Sequence, residues 1–235
     1  MTEFRSRIRL AMIGGGEGAF IGEVHRMAAR LDDRFELVAG AFSSDPERGH
    51  RSAAGLGLDR ERSYGDFSEL VRREAQRDDG AEAVVIVTPN HVHFPAARAA
   101  LEAGLHVICD KPMAATLEEA EQLVALVQSH PDQRFFVTYN YSGYPLVRQA
   151  RQLCSDGELG SLRVIQVEYP QDWLATDIER GGQKQAAWRT DPVRAGAGGS
   201  IGDIGTHAFH LAEFVTGLEV ESLLADLHSF VPGRQ

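Results

Sequence analysis

Two cysteines in 235 residues leave no material for a disulfide framework. Cys109 lies in the apolar run HVICD and Cys154 in a helical pattern, so both read as small core side chains in a reducing compartment. Long hydrophobic runs are also missing. No stretch approaches the roughly 20 apolar residues that span a bilayer, and MTEFRSRIRLAMIGGG carries arginines but too short an apolar run for a signal peptide. The expected location is the cytoplasm. Positive charge is scarce: 24 Lys and Arg against 34 Asp and Glu give a formal net charge of −10. Such a chain has no basic stripe to neutralise phosphates, which argues against nucleic acid and anionic membrane surfaces as partners. There is no internal repeat and no low-complexity segment.

What is present is enough apolar sequence, 43% with 25% charged residues, to bury a core in one large or two small domains. From Ile8 to about Tyr139 the short runs IRLAMI, FELVAGAF, AVVIVT, HVICD and FFVTY alternate with amphipathic segments. That alternation predicts βα units and a parallel sheet covered on both faces. The helices are punctuated. SSDPER offers a Ser or Asp cap with proline in the first turn, Thr116 opens TLEEAEQLVALV, and Gly104 closes the helix before HVICD. After Tyr139 come a helix around PLVRQARQL, a turn SDGELG, an alternating strand LRVIQVEY, a long irregular stretch, another helix and a strand-like run VESLLADLHSFV. This predicts the start of a second, α+β domain over residues 140–235, incomplete because one or two strands cannot cover their own face and edges.

Glycines cluster where the first strand should meet the first helix, in IRLAMIGGGEGAFIGEVHRMAARL. Bare backbone there lets a pyrophosphate approach the free N–H groups and positive end of a helix, so residues 1–139 are expected to form a Rossmann-type, doubly wound dinucleotide-binding domain. Gly14 and Gly16 serve as the first pair of the fingerprint. The third position falls on Ala19 unless a longer loop makes Gly22 the packing glycine, and Phe20 and Ile21 lie between. At the end of the second strand an acid would read the ribose, but AFSSDPER puts Ser43 and Ser44 there, with Arg48 one turn on. Hydroxyls and a guanidinium suit a 2′-phosphate and lean the reading from NAD towards NADP, while Asp45 reads equally as a helix cap.

The stretch GGSIGDIGTHAFHLAEFVTG, Gly198 to Gly217, runs from a glycine-rich loop into a helical pattern. Asp203 and His207 are four apart and would share one helix face. Moving a hydride from a carbinol carbon requires the hydroxyl proton to leave too, and histidine titrates where that is feasible. Lys111 leaves the HVICD strand at the carboxyl edge, where a fixed cation would stabilise charge developing on oxygen. Trp188, Arg189 and Tyr141 have the aromatic faces and donors that suit a polyhydroxylated ring. NHVHF, His106 and His210 invite a metal reading, but no acidic or cysteine partner arrives at helix spacing, so no metal is expected.

The glycine loop ending in IGEVH, then TPNHVH, then CDKP, then the Gly198–Gly217 stretch together resemble the Gfo/Idh/MocA family of glucose–fructose oxidoreductase and inositol dehydrogenase relatives. The resemblance implies a Rossmann domain followed by an α/β domain on a large antiparallel sheet, a homo-oligomer, and NAD(P)-dependent oxidation or reduction of a sugar or cyclitol hydroxyl. Its Glu-Lys-Pro motif is similar to Asp110-Lys111-Pro112, and its aspartate and histidine at a helix start to Asp203, Gly205 and His207. Its asparagine-containing turn is similar to Thr88-Pro89-Asn90, with His93 on the following helix; Thr88, Asn90 and Lys111 are expected to face the cofactor, and His93 to face it or to cap the helix. The chain departs from the family in the longer first loop, the missing ribose acid and an early stop one strand into the second sheet. Two alternatives therefore stay open: a shortened, non-catalytic NAD(P)-binding protein, and a redox-assisted glycosidase.

Overall fold

The computed structural model describes residues 6–196 and 198–234. Five parallel strands form one sheet: β1 (Ile8–Gly14), β2 (Phe35–Ala41), β3 (Ala83–Val87), β4 (His106–Cys109) and β5 (Phe135–Val137). Their order is β2-β1-β3-β4-β5. The chain moves from β1 to β2 in one direction and from β2 past β1 to β3 in the other, so a crevice opens beside β1 at the carboxyl edge. β3 is buried at every position and reads AVVIV with no alternation, as a strand covered on both faces must.

Helices α1 (Phe20–Arg30), α2 (Pro46–Gly55), α3 (Phe67–Glu74), α4 (His93–Glu102) and α5 (Leu117–Ser129) supply that cover. One core cluster packs Leu70, Leu101 and Leu123 against Val84, Ile86 and Val107; the other packs Leu10, Met12 and Val85 against Phe42 and Ala53. The predicted punctuation is in place. Asp45 accepts the Arg48 N–H at the start of α2, and Thr116 forms a capping box with Glu119 at the start of α5. Thr116→Ala should lower unfolding free energy by about 1 kcal/mol, read as a shifted urea midpoint with an unchanged slope.

The chain divides into two compact units between Thr138 and Tyr139. The second contains α6 (Pro145–Ser155), α7 (Lys184–Arg189), α8 (Pro192–Ala195) and α9 (Thr206–Thr216), with α6 packed on α9. Here two sequence expectations need correcting. LRVIQVEY and VESLLADLHSFV run without ladder hydrogen bonds, and no strand occurs among the described residues of this unit. Alternation and β-branching tell which side chains share a face, but a strand exists only when a neighbour accepts its backbone bonds. Val164 is 84% and Leu224 98% exposed, so neither run buries its apolar face here.

Candidate active site

In the first unit, β1 ends in a loop with no room for a side chain at several of its glycines. Gly14 adopts φ +83°, and a Cβ on it would lie 2.8 Å from the Val87 carbonyl oxygen. A Cβ on Gly16 would lie 2.7 Å from the Phe42 carbonyl oxygen, and one on Gly22 2.4 Å from Gly15 Cα. The packing glycine is thus Gly22, and the loop is longer than the G-x-G-x-x-G spacing. Two side chains outside the motif brace it. Arg26 of α1 donates to the Gly15 carbonyl at 2.7 Å, and burial pushes its guanidinium pKa down. Ser52 of α2 accepts the Glu17 N–H at 3.0 Å while donating to the Arg48 carbonyl at 2.8 Å.

Helix α1 begins behind this loop with Ala19 as N-cap, which has no side chain to accept the first N–H groups. Phe20, at the first helical position, is exposed, and Gly22 is buried. Thr88, where β3 leaves the sheet, has a buried hydroxyl with no hydrogen-bond partner. An uncapped helix start, a cradle that a Cβ on Gly14, Gly16 or Gly22 would fill and an orphaned hydroxyl at one sheet edge fit the pyrophosphate of a dinucleotide. Beyond β2, the Ser43 hydroxyl receives the Arg48 guanidinium at 2.9 Å and the Asp45 N–H at 3.1 Å, while Ser44 is exposed. Asp45 itself caps α2, and that contact lowers its carboxyl pKa.

Lys111 follows β4 between two anchored neighbours. The Asp110 carboxylate accepts from the Thr138 hydroxyl at 2.7 Å, and His25 Nε2 of α1 lies 3.8 Å from its Oδ1. Burial pushes the Asp110 carboxyl up, but the nearby His25 and the Thr138 hydrogen bond outweigh it and leave the pKa below the usual carboxylate range. On the other side, His93 Nδ1 is 2.7 Å from the Pro112 carbonyl oxygen and Nε2 is 2.8 Å from that of Thr88. His93 is 1% exposed with both ring nitrogens against carbonyls, so the expectation that it faces the cofactor needs correcting. Burial pushes its pKa down, against two carbonyls that favour the charged ring. It ties the β3 and β4 ends together; Asn90 beside it is buried.

In the second unit Asp203 lies in a π-helical turn, Ile201–Gly205, and His207 in the first turn of α9. The uniform α-helix assumed from the four-residue spacing is therefore corrected; such wide turns recur at functional sites. Asp203 Oδ1 accepts from Arg189 Nε at 3.2 Å. Arg189 also donates to the Gln185 side chain at 2.7 Å and lies over the rings of Trp188, at 4.2 Å, and Trp173, at 5.6 Å. Arg189 is thus held within this cluster and stacks on its own neighbour.

His207 is buried among tyrosines. The Tyr139 ring meets it edge-on at 5.6 Å and stacks on His210 at 4.2 Å, while the Tyr141 ring lies 4.6 Å from His207. The Tyr141 and Tyr169 hydroxyls are 2.7 Å apart, which, with burial, pushes the Tyr141 pKa up to about 12. Sequence reasoning singled out Tyr141 but missed Tyr139, His25, Arg26 and Ser52. YNYSGYP was the available signal for the first, whereas nothing local distinguishes an arginine or serine that braces a distant loop.

The switch-point crevice and the glycine loop define a nucleotide-binding Rossmann domain. Residues 8–139 match the profile of an oxidoreductase family with an NAD-binding Rossmann fold, and residues 147–235 match the GFO/IDH/MocA C-terminal domain. The chain belongs to the GFO/IDH/MocA family of oxidoreductases. It is 53% identical to an oxidoreductase from Sinorhizobium meliloti whose crystal structure aligns with a TM-score of 0.86 over 98% of this chain and 58% of that one. An inositol dehydrogenase homologue from Azotobacter vinelandii, solved with NADH and myo-inositol, is 42% identical, with a TM-score of 0.82 over 90% of this chain and 53% of its own. Levoglucosan dehydrogenase of Pseudarthrobacter phenanthrenivorans (strain DSM 18606 / JCM 16027 / LMG 23796 / Sphe3) is 31% identical over 97% of this chain and 55% of its own length. The chain thus spans little more than half the length of these relatives. Among its described residues no helix is long and apolar enough to cross a membrane.

Proposed function

We propose that the chain serves an NAD(P)-dependent, cytoplasmic dehydrogenase, homo-oligomeric like its family, which acts on a hydroxyl of a sugar or cyclitol. The observation that carries this reading is a loop built for a pyrophosphate in a chain whose family includes proteins solved with NADH and a polyol. Bound nicotinamide would supply the hydride acceptor. Gly14, Gly16, Phe20, Ile21 and Gly22 hold the pyrophosphate through backbone groups, and Thr88 and Asn90 border it. His207 takes the hydroxyl proton as the carbon is oxidised. Asp203, fixed by Arg189, orients it, and Lys111 offsets the charge developing on oxygen. Tyr141 and Trp188 bear on the sugar ring by stacking and hydrogen bonding.

The ribose end supports NADP at least as well as NAD, because Ser43 and Arg48 face the same point and Asp45 is engaged in capping α2. Ser43→Asp should shift the ratio of dissociation constants towards NAD by about 10-fold, in line with one charge repulsion worth about 1.4 kcal/mol. A strong NAD preference in the unaltered chain would reverse the assignment. The test of the whole reading is a thermal-shift screen with NAD, NADP, cyclitols and aldoses, followed by turnover on the polyols that stabilise. Dinucleotide stabilisation without turnover would mark the 235-residue chain as a binding unit; no stabilisation by either dinucleotide would overturn the reading.

A further inference from the structure

The first unit contains a histidine–carboxylate–hydroxyl arrangement that none of the proposed steps uses. His25 on α1, Asp110 after β4 and Thr138 after β5 come from three separate places in the chain and meet at the carboxyl edge. His25 and Asp110 side chains are 15% and 18% exposed, so their pairing is poorly screened. Asp110 is joined directly to Lys111, and its backbone N–H is already held by the Ile86 carbonyl at 3.0 Å. With the backbone held there, the Asp110 side chain is placed by His25 and Thr138 from two sides. Thr138 is itself fixed, its N–H on the Cys109 carbonyl at 3.0 Å.

We infer that His25 is a positioning residue which, through Asp110, sets the orientation of Lys111 at the carboxyl edge. The charged and titratable groups on Asp110 are His25 from α1, His93 from α4 and Cys109 on its own strand. Thr138 donates a hydrogen bond to the carboxylate and His25 faces it at 3.8 Å, and both favour its ionised form. The inference rests on the role proposed for Lys111 in catalysis, but its geometry is measurable without turnover.

Lys111 and Lys184 are the two lysines of the chain. Reductive methylation with carbon-13 formaldehyde therefore gives two dimethyl-lysine NMR signals plus that of the terminal amine, and Lys184→Arg assigns them. His25→Leu should move the Lys111 signal and leave that of Lys184 in place. His25→Gln, which retains an N–H near the imidazole position, should restore the wild-type shift. Turnover should fall on the order of 10-fold to 100-fold in His25→Leu, as expected for a displaced charged group, with partial rescue in His25→Gln. If His25→Leu does not fold, Thr138→Val removes the other donor at nearly constant volume and carries the same test. A Lys111 signal unchanged in the folded variants overturns the inference. A moved signal in a chain that turns over no polyol keeps the positioning role and removes the catalytic one.

Discussion

His207→Ala is expected to lower turnover by about 10² to 10⁴ while dinucleotide affinity stays close to that of the unaltered protein. The separation follows from where the residues stand. The glycine cradle and Thr88 belong to the first unit and His207 to the second, so truncating the imidazole removes none of the groups proposed to hold the pyrophosphate. His207 is 5% exposed and packed by Tyr139 and Tyr141, so a truncation also opens a cavity. His207→Gln, closer in volume, is the companion variant, and circular dichroism and melting of both variants establish that the fold persists. Normal specific activity in the folded fraction of either variant would make the histidine structural. Lys111→Ala should show a loss of similar size, again with the dinucleotide retained.

Gly22→Ala should abolish measurable dinucleotide binding. The added methyl would sit 2.4 Å from Gly15 Cα and 2.6 Å from the Gly15 carbonyl oxygen, both of them backbone atoms. No rotamer change relieves such a contact, so α1 must shift away from the loop, carrying its first N–H groups out of line with the phosphates. Overpacking of this kind also costs about 1–3 kcal/mol of stability. Gly55→Ala is the control, because a Cβ there meets nothing within 4 Å. NADH fluorescence titration separates the two: a wild-type dissociation constant for Gly22→Ala would show that the loop does not depend on that close approach.

The same glycine shows how far local sequence reaches. A run of glycines after an apolar strand marks a phosphate loop, but whether Ala19 or Gly22 packs on Gly15 depends on the path of the loop, which no spacing rule encodes. The five strands were legible because burial on both faces demands continuous β-branched runs, and the punctuation at Asp45 and Thr116 was legible because capping is local. Burial of His93 was not legible. Its ring lies between the carbonyls of Thr88 and Pro112, two residues brought together only when β3 and β4 pair.

In the second unit the limits are plainer. LRVIQVEY has strand-like alternation, and its conformation depends on a partner that alternation does not name. Asp203 and His207 are four residues apart, but a wide turn at Ile201–Gly205 separates them from a uniform helix, and Arg189 of α7 reaches the carboxylate from across a loop. By itself, then, the sequence determined the elements whose signals lie within one turn or one strand: the parallel sheet, the helix caps, the glycine loop and the residue types able to move a proton. Tertiary structure alone decided which glycine packs, which histidine is sealed from solvent, and which side chains from α1, α2 and the end of β5 meet the glycine loop and Asp110. The reason is physical: a cap or a period is written in neighbouring residues, whereas a brace depends on the distance between groups 28 to 85 residues apart, as with Thr138 and His25 at Asp110, and that distance is set only when the sheet closes.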